Sequence, residues 1–135
     1  MATVNETITP NADAPSIPYR QTISPNYLDG SFVINDADDH IFKVDGRGKG
    51  RMTVCVDIST SDQTITVTVF GMHVITGAIG DDGVAQIGQF TVTNAQDIGY
   101  ETINDVFPFY IVRCTPAAAA TGSPTCKANV NFAAF

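Results

Sequence analysis

From residue 31 onward, apolar and polar residues alternate in short runs. "RMTVCVDIS" (51–59) sets Met52, Val54, Val56 and Ile58 on one face and Thr53, Cys55 and Asp57 on the other. "QTITVTVF" (63–70) repeats the pattern, with Ile65, Val67 and Val69 opposite Thr64, Thr66 and Thr68. A period of two is the strand period, and the short polar link "TSD" between the runs predicts a β-hairpin with one wet face. Shorter candidates precede it: "SFVIN" (31–35), closed by "DADD", then "HIFKV" (40–44), closed by the glycine-rich turn "DGRGKG" (45–50). Gly71 marks a turn or bulge before "MHVITGAI", and "GDDG" (80–83) marks another turn. "VAQIGQFTVTN" (84–94) is the next strand, with a bulge at Gly88. "AQDIGYETIND" (95–105) fits one helical turn or a crossover. "VFPFYIVRC" (106–114) is apolar on both faces, as a central buried strand is. Proline cannot donate to a ladder, so Pro108 belongs at the start of that strand or at a bulge. "TPAAAATGSPT" is a long loop, and "CKANVNFAAF" closes the chain with Ala128, Val130 and Phe132 facing in.

These runs predict an all-β fold: an antiparallel two-sheet β-sandwich of about eight strands over residues 31–135. Jelly-roll connectivity is the first choice. An immunoglobulin-like sandwich is the second, although its buried tryptophan is missing from a chain without Trp. Residues 1–30 read differently, as an extended proline-rich N-terminal arm. Pro10, Pro15, Pro18 and Pro25 remove backbone donors and restrict the residues before them, and no strand or helix period runs through the stretch.

Composition agrees with the pattern. The chain of 135 residues has 13 Val and 13 Ile against one Leu, Leu28, and β-branched side chains suit a pleated surface. The net charge of −7 opposes nucleic acid and anionic lipid at long range. No apolar run approaches the roughly 20 residues of a membrane helix, and no basic region followed by an apolar core opens the chain.

No catalytic constellation emerges. His40 and His73 fall on different strands, no serine sits in a G-x-S-x-G elbow, and no histidine cluster suits a metal enzyme. The chain is therefore expected to be neither an enzyme nor a cofactor or metal protein. Counted from Asp36, the acidic "DADDH" puts Ile41 and Arg47 where a calcium loop needs Gly and Glu, so it reads as a solvated turn. Lys43, Arg47, Lys49 and Arg51 hold four of the seven basic residues; Arg47, Lys49 and Arg51 are a candidate charge-contact loop at a hairpin tip. Cys114 and Cys126 flank the long loop, and a disulfide joins them only if their strands pair with Cα atoms roughly 4.4–6.8 Å apart.

The run "VAQIGQFTVTN…VFPFYIVRCTPAAAATGSPTCKANVNF", with its late strand, small-residue loop and final polar-apolar strand, resembles the end of small virion proteins of tailed phages. With the arm and acidic sandwich, the chain most resembles capsid decoration (cement) proteins, and less closely tail or fibre-tip modules. The resemblance implies a structural protein of the capsid surface, made in the host cytoplasm. It also implies a homo-oligomer, a trimer by preference, that bridges capsomers by binding the major capsid protein or other virion subunits. Nucleic acid and membrane are not expected partners. In that setting Ile8, Ile17, Tyr19, Ile23 and Tyr27 are candidate arm anchors, since an extended segment covers much surface with few residues. The competing role for the arm is to wrap its own domain. A receptor- or carbohydrate-binding sandwich is the alternative function, weakened by the shortage of exposed aromatics: no Trp and four Tyr, two of them in the arm.

Overall fold

The computed structural model describes residues 3–10, 27–35, 37–58, 63–74, 76–93, 98–118 and 127–134. They form ten strands: β1 (Thr3–Asn5), β2 (Thr9–Pro10), β3 (Tyr27–Val33), β4 (Asp39–Asp45), β5 (Met52–Asp57), β6 (Ile65–Met72), β7 (Val84–Val92), β8 (Ile98–Ile103), β9 (Phe109–Pro116) and β10 (Lys127–Ala134). One five-stranded sheet, sheet A, has the order β1-β4-β9-β6-β7; the other, sheet B, has the order β2-β3-β10-β5-β8. All pairings are antiparallel except β1 with β4. Strands β3 to β10 alone give the orders β3-β10-β5-β8 and β4-β9-β6-β7, which is jelly-roll connectivity. The immunoglobulin-like alternative is thereby set aside.

Alternation decides which side chains fill the space between the sheets. Met52, Val54, Val56 and Ile58 face Ile65, Val67 and Val69 there, and all seven are fully buried. Ala128, Val130 and Phe132 of β10 and Tyr110, Val112 and Cys114 of β9 complete the interior. As expected for an apolar run, β9 lies inside its sheet between β4 and β6, and Pro108 sits just before its first residue. The bulge falls where Gly88 suggested: Val69 pairs with Gly88 and Phe70 with Gln86, leaving Ile87 as the extra residue.

Three expectations are corrected. The runs 51–59 and 63–70 do not form a hairpin: β5 belongs to sheet B and β6 to sheet A. Both alternate because both face one core, from opposite sides. Gly71 makes no turn, for β6 continues to Met72; the missing side chain admits the Phe107 ring, whose nearest atom lies 2.4 Å from where a Cβ would sit. Residues 98–103 are neither helix nor crossover but the edge strand β8.

The N-terminal segment is part of the sandwich. β1 lies beside β4 in sheet A, β2 beside β3 in sheet B, and Glu6, Thr7 and Ile8 cross between them. Sheets pack ~10 Å apart and a strand advances ~3.3 Å per residue, so three residues fit the crossing. Ile8 packs against the central core, so this anchor engages its own domain. Tyr27 to Gly30 belong to β3, so the sandwich begins before residue 31. Ile17, Tyr19 and Ile23 lie outside the described residues.

Gly30 shows how closely this flank is packed. A Cβ there would lie 2.4 Å from Cε1 of the fully buried Phe42 and 3.3 Å from Cγ2 of Ile8. Gly30→Ala is expected to cost about 1–3 kcal/mol through overpacking. The check is urea unfolding, where the midpoint falls while the m-value is unchanged.

Candidate functional site

The sandwich leaves two outer faces of unlike chemistry. On sheet B, side chains that alternate with the core residues point outward: Tyr27, Asp29 and Ser31 from β3, Asn129 and Asn131 from β10, Thr53 and Cys55 from β5, and Ile98, Tyr100 and Thr102 from β8. Register places Asp29, Asn131, Cys55 and Tyr100 in one row across the four strands. The next row holds Tyr27, Ala133, Thr53 and Thr102. Three strand spacings of ~4.8 Å separate β3 from β8, and Tyr27 and Tyr100 stand one row apart along the strands, so their backbones lie roughly 16 Å apart. Between them the face is polar and low. Asn131 Nδ2 donates to Asp29 Oδ1 at 2.6 Å, and the Thr53 and Thr102 hydroxyls meet at 3.0 Å. A shallow hollow of about 170 Å³ opens beside Tyr27, over Asp29, Thr53 and Asn131. Tyr100 is 71% exposed, the largest exposure of any big apolar side chain named among the described residues.

On sheet A the outer face is partly covered. Ile41, Phe70, Met72 and Ile111 form a second apolar cluster, with Ile79 of the β6–β7 connection and Val84 at the start of β7 packed on it. That connection is held by its own backbone: Asp81 N–H donates to Ala78 O at 3.0 Å, and Ala78 N–H to the Asp81 carboxylate at 2.9 Å. Gly80 and Gly83 take positive φ values of 97° and 84° to make the turns. Beside it runs a groove of about 440 Å³. Ile41 and Ile111 floor it, Ala78 and Ile79 wall one side, and Thr3 and Asn5 of β1 wall the other. Asp39, Lys43 and Arg113 supply its charge. Thr115 Oγ1 donates to Asp39 Oδ1 at 2.6 Å, and the Arg113 guanidinium lies 5.2 Å from the centre of the Phe70 ring.

The basic loop does not act as a unit. The Arg47 guanidinium is turned back on Asp45, with Nε and Nη2 donating at 2.9 and 2.7 Å, and it lies 5.4 Å from the centre of the Phe109 ring. Lys49 is buried, and Arg51 is exposed. Nor is the loop a hairpin tip, since β4 and β5 lie in different sheets. Cys114 is a free thiol on the inner face of β9, and burial pushes its pKa up, with the Glu6 charge adding to the effect. β9 and β10 lie in different sheets, so the strand pairing required for the disulfide does not occur; Cys126 itself lies outside the described residues. Burial and the nearby Asp57 also raise the Cys55 thiol. His40 is interior, stacked on Phe32 with ring centres 4.0 Å apart, while His73 is exposed beside Phe107. Among the described residues no three His, Cys, Asp or Glu side chains gather as a metal site would need.

No family model and no curated protein sequence matches the chain. Solved structures do, at low identity. A periplasmic inhibitor of g-type lysozyme from Aeromonas hydrophila, PliG, is 15% identical with a TM-score of 0.46, covering 99% of this chain and 96% of its own. CorA, a surface-associated copper-binding protein of Methylomicrobium album BG8, is 8% identical with a TM-score of 0.48, covering 100% and 98%. The C-terminal CBM6 of the laminarinase LamC from Zobellia galactanivorans is 8% identical with a TM-score of 0.38, covering 95% and 87%.

The Asp45–Arg47 pair gives the β4–β5 loop a pH dependence. Burial alone would push the Asp45 carboxyl up, but the hydrogen bonds and charge of Arg47, helped by Lys49, together hold it below the usual carboxylate range. A depressed carboxylate contributes stability above its unfolded pKa, about 3.9, and loses it as pH falls through the lower folded value. The stability difference between the protein and Asp45→Asn is therefore expected to be constant from neutral pH to about 5 and to shrink below about 4. Denaturant unfolding across that range measures it; a difference that persists undiminished at pH 2 contradicts the assignment.

Proposed function

We propose that the protein is a non-enzymatic binding module whose outer face on sheet B engages a glycan. The observation that carries this reading is the pairing of Tyr27 and Tyr100 across one open, polar sheet face. A sugar ring presents apolar C–H surface to an aromatic ring and hydroxyls to amides, carboxylates and hydroxyls. Tyrosine offers a large apolar ring with a polar tip. Asn131 and Thr53 stand on the two strands between the tyrosines, Asp29 and Thr102 beside them, and together they supply both donors and acceptors. The scarcity of aromatics in the sequence is thus offset by their placement. No charge gradient is needed, which suits a ligand recognised by an acidic protein. Tyr100 is exposed enough that Tyr100→Ala should leave stability nearly unchanged. Screening the protein on an oligosaccharide array, then titrating the best ligand into Tyr100→Ala, tests the reading. We expect a loss of about tenfold, equivalent to ~1.4 kcal/mol. Equal binding by the variant, or an array without any ligand, sinks it.

A virion role, as a subunit decorating or tipping a phage particle, is a second reading. The chain leaves β2 at Pro10 and re-enters β3 at Tyr27 on one flank of the sandwich, so residues 11–26 are joined to the domain at both ends. Spaced apolar residues in such a connection suit contact with a capsid protein or a sister subunit in a trimer. Deleting residues 1–30 is a poor test, because it removes part of β3. Replacing 11–26 by a short Gly-Ser link spares every described strand. This reading expects the intact chain to copurify with particles in high copy number and the relinked chain to be lost from them; retention of the relinked chain counts against it.

A further inference from the structure

We propose that the groove on the outer face of sheet A is a separate site that takes the C-terminal residue of a peptide: its carboxylate at Arg113 and an aliphatic side chain on Ile41 and Ile111. Arg113 carries the argument. It is half-buried on a protein of net charge −7, and no carboxylate among the described residues pairs with it. The guanidinium carbon lies over the Phe70 ring, 5.2 Å from its centre, a contact that does not use the guanidinium donors. A planar fork of this kind matches a carboxylate in bidentate fashion. On the neighbouring strand Ile41 pairs with Arg113 and Lys43 with Ile111, so a second cation lines the groove one row along, diagonal to Arg113.

The rest of the lining narrows the ligand. Ile41 and Ile111 offer an apolar floor, and Ile79 and Ala78 close one side over it, enough for one branched side chain. Asn5 stands on the opposite wall, and its amide both donates and accepts, as a peptide group requires. Inorganic anions would leave the floor unused, and a fatty carboxylate would leave Asn5 unused. A terminal Leu, Ile or Val with its free carboxylate uses all three parts. The site lies on the sheet opposite the tyrosine face, so it stands or falls independently of glycan binding.

The test is a titration of the full chain with N-acetyl-Gly-Gly-Leu, followed by amide chemical shifts or calorimetry, against its C-terminal amide and against octanoate. The free carboxylate is expected to bind at least tenfold more tightly than the amide and more tightly than octanoate. Arg113→Gln is expected to erase the difference between acid and amide. Lys43→Gln, at an exposed position, should reduce it and serves as the second variant if Arg113→Gln does not fold. Equal binding of acid and amide, tighter binding of octanoate, shifts confined to the tyrosine face, or no binding of the peptide at all would each overturn the proposal.

Discussion

A hydrogen bond between Glu6 and His40 ties the two sheets together at one flank. Glu6, the first residue after β1, places Oε1 2.7 Å from Nδ1 of His40. His40 is 4% exposed and stacks, nearly parallel, on Phe32 of the opposite sheet. The backbone of Glu6 also donates to Ile41 O at 2.8 Å. Removing a carboxylate and an imidazole from water is costly unless each finds a partner. Here the partners come from three elements: the crossing segment, β4 of sheet A and β3 of sheet B. The pair therefore forms only when the N-terminal residues, both sheets and their relative placement are all correct. Phe42 and Phe132 continue the contact inward, with ring centres 5.8 Å apart, so the flank runs without a break into the main core.

The other flank is closed by different means. β7 and β8 end their sheets there, and the bulge at Ile87 bends β7. Gly99 faces Val92 and Gly88 faces Ile103, with distances that leave no space for a side chain at either glycine. One flank is thus sealed by added chain and the other by close approach. Between them the jelly roll sets strands from distant parts of the sequence side by side. Tyr27 and Tyr100 share a face for that reason, and so do Asn5 and Arg113. Neither grouping is a motif along the chain; both are products of strand order.

That is also why some of the structure was legible in the sequence and some was not. Alternation reports the face a residue takes, and it placed Met52 to Ile58, Ile65 to Val69 and Ala128 to Phe132 correctly inside. It does not report the neighbour. In a jelly roll successive strands mostly cross between sheets, so β5 and β6 carry the pattern of a hairpin without pairing. β8 was obscured because its inward positions are Gly99 and Glu101, which read as polar and break the binary pattern; the outward Ile98, Tyr100 and Thr102 held the remaining signal. The start of β3 is hidden at the end of the proline-rich stretch, where no strand period shows around Gly30, a small residue making room for Phe42. The basic loop misled for another reason. Four cations in nine residues suggest a charged knob, but Arg47 is spent on Asp45 and Lys49 is interior. The cation that lines the groove, Arg113, sits alone in an apolar strand and gives no signal of its own.

The flank and the groove share one element, and this couples them. β1 contributes Thr3 and Asn5 to the groove wall, and the next residue, Glu6, makes the hydrogen bond with His40. β1 is only three residues long and pairs with one neighbour, so it has little stability of its own. What keeps Asn5 over the groove is the contact made by Glu6 and, beyond it, the burial of Ile8. A ligand held by Asn5 would bind only while β1 stays paired with β4, and so would stabilise the flank by the same free energy with which the flank supports its binding. The residues crossing between the sheets are therefore more than a cap: they set the position of one groove wall from inside the core, through an interaction no ligand touches.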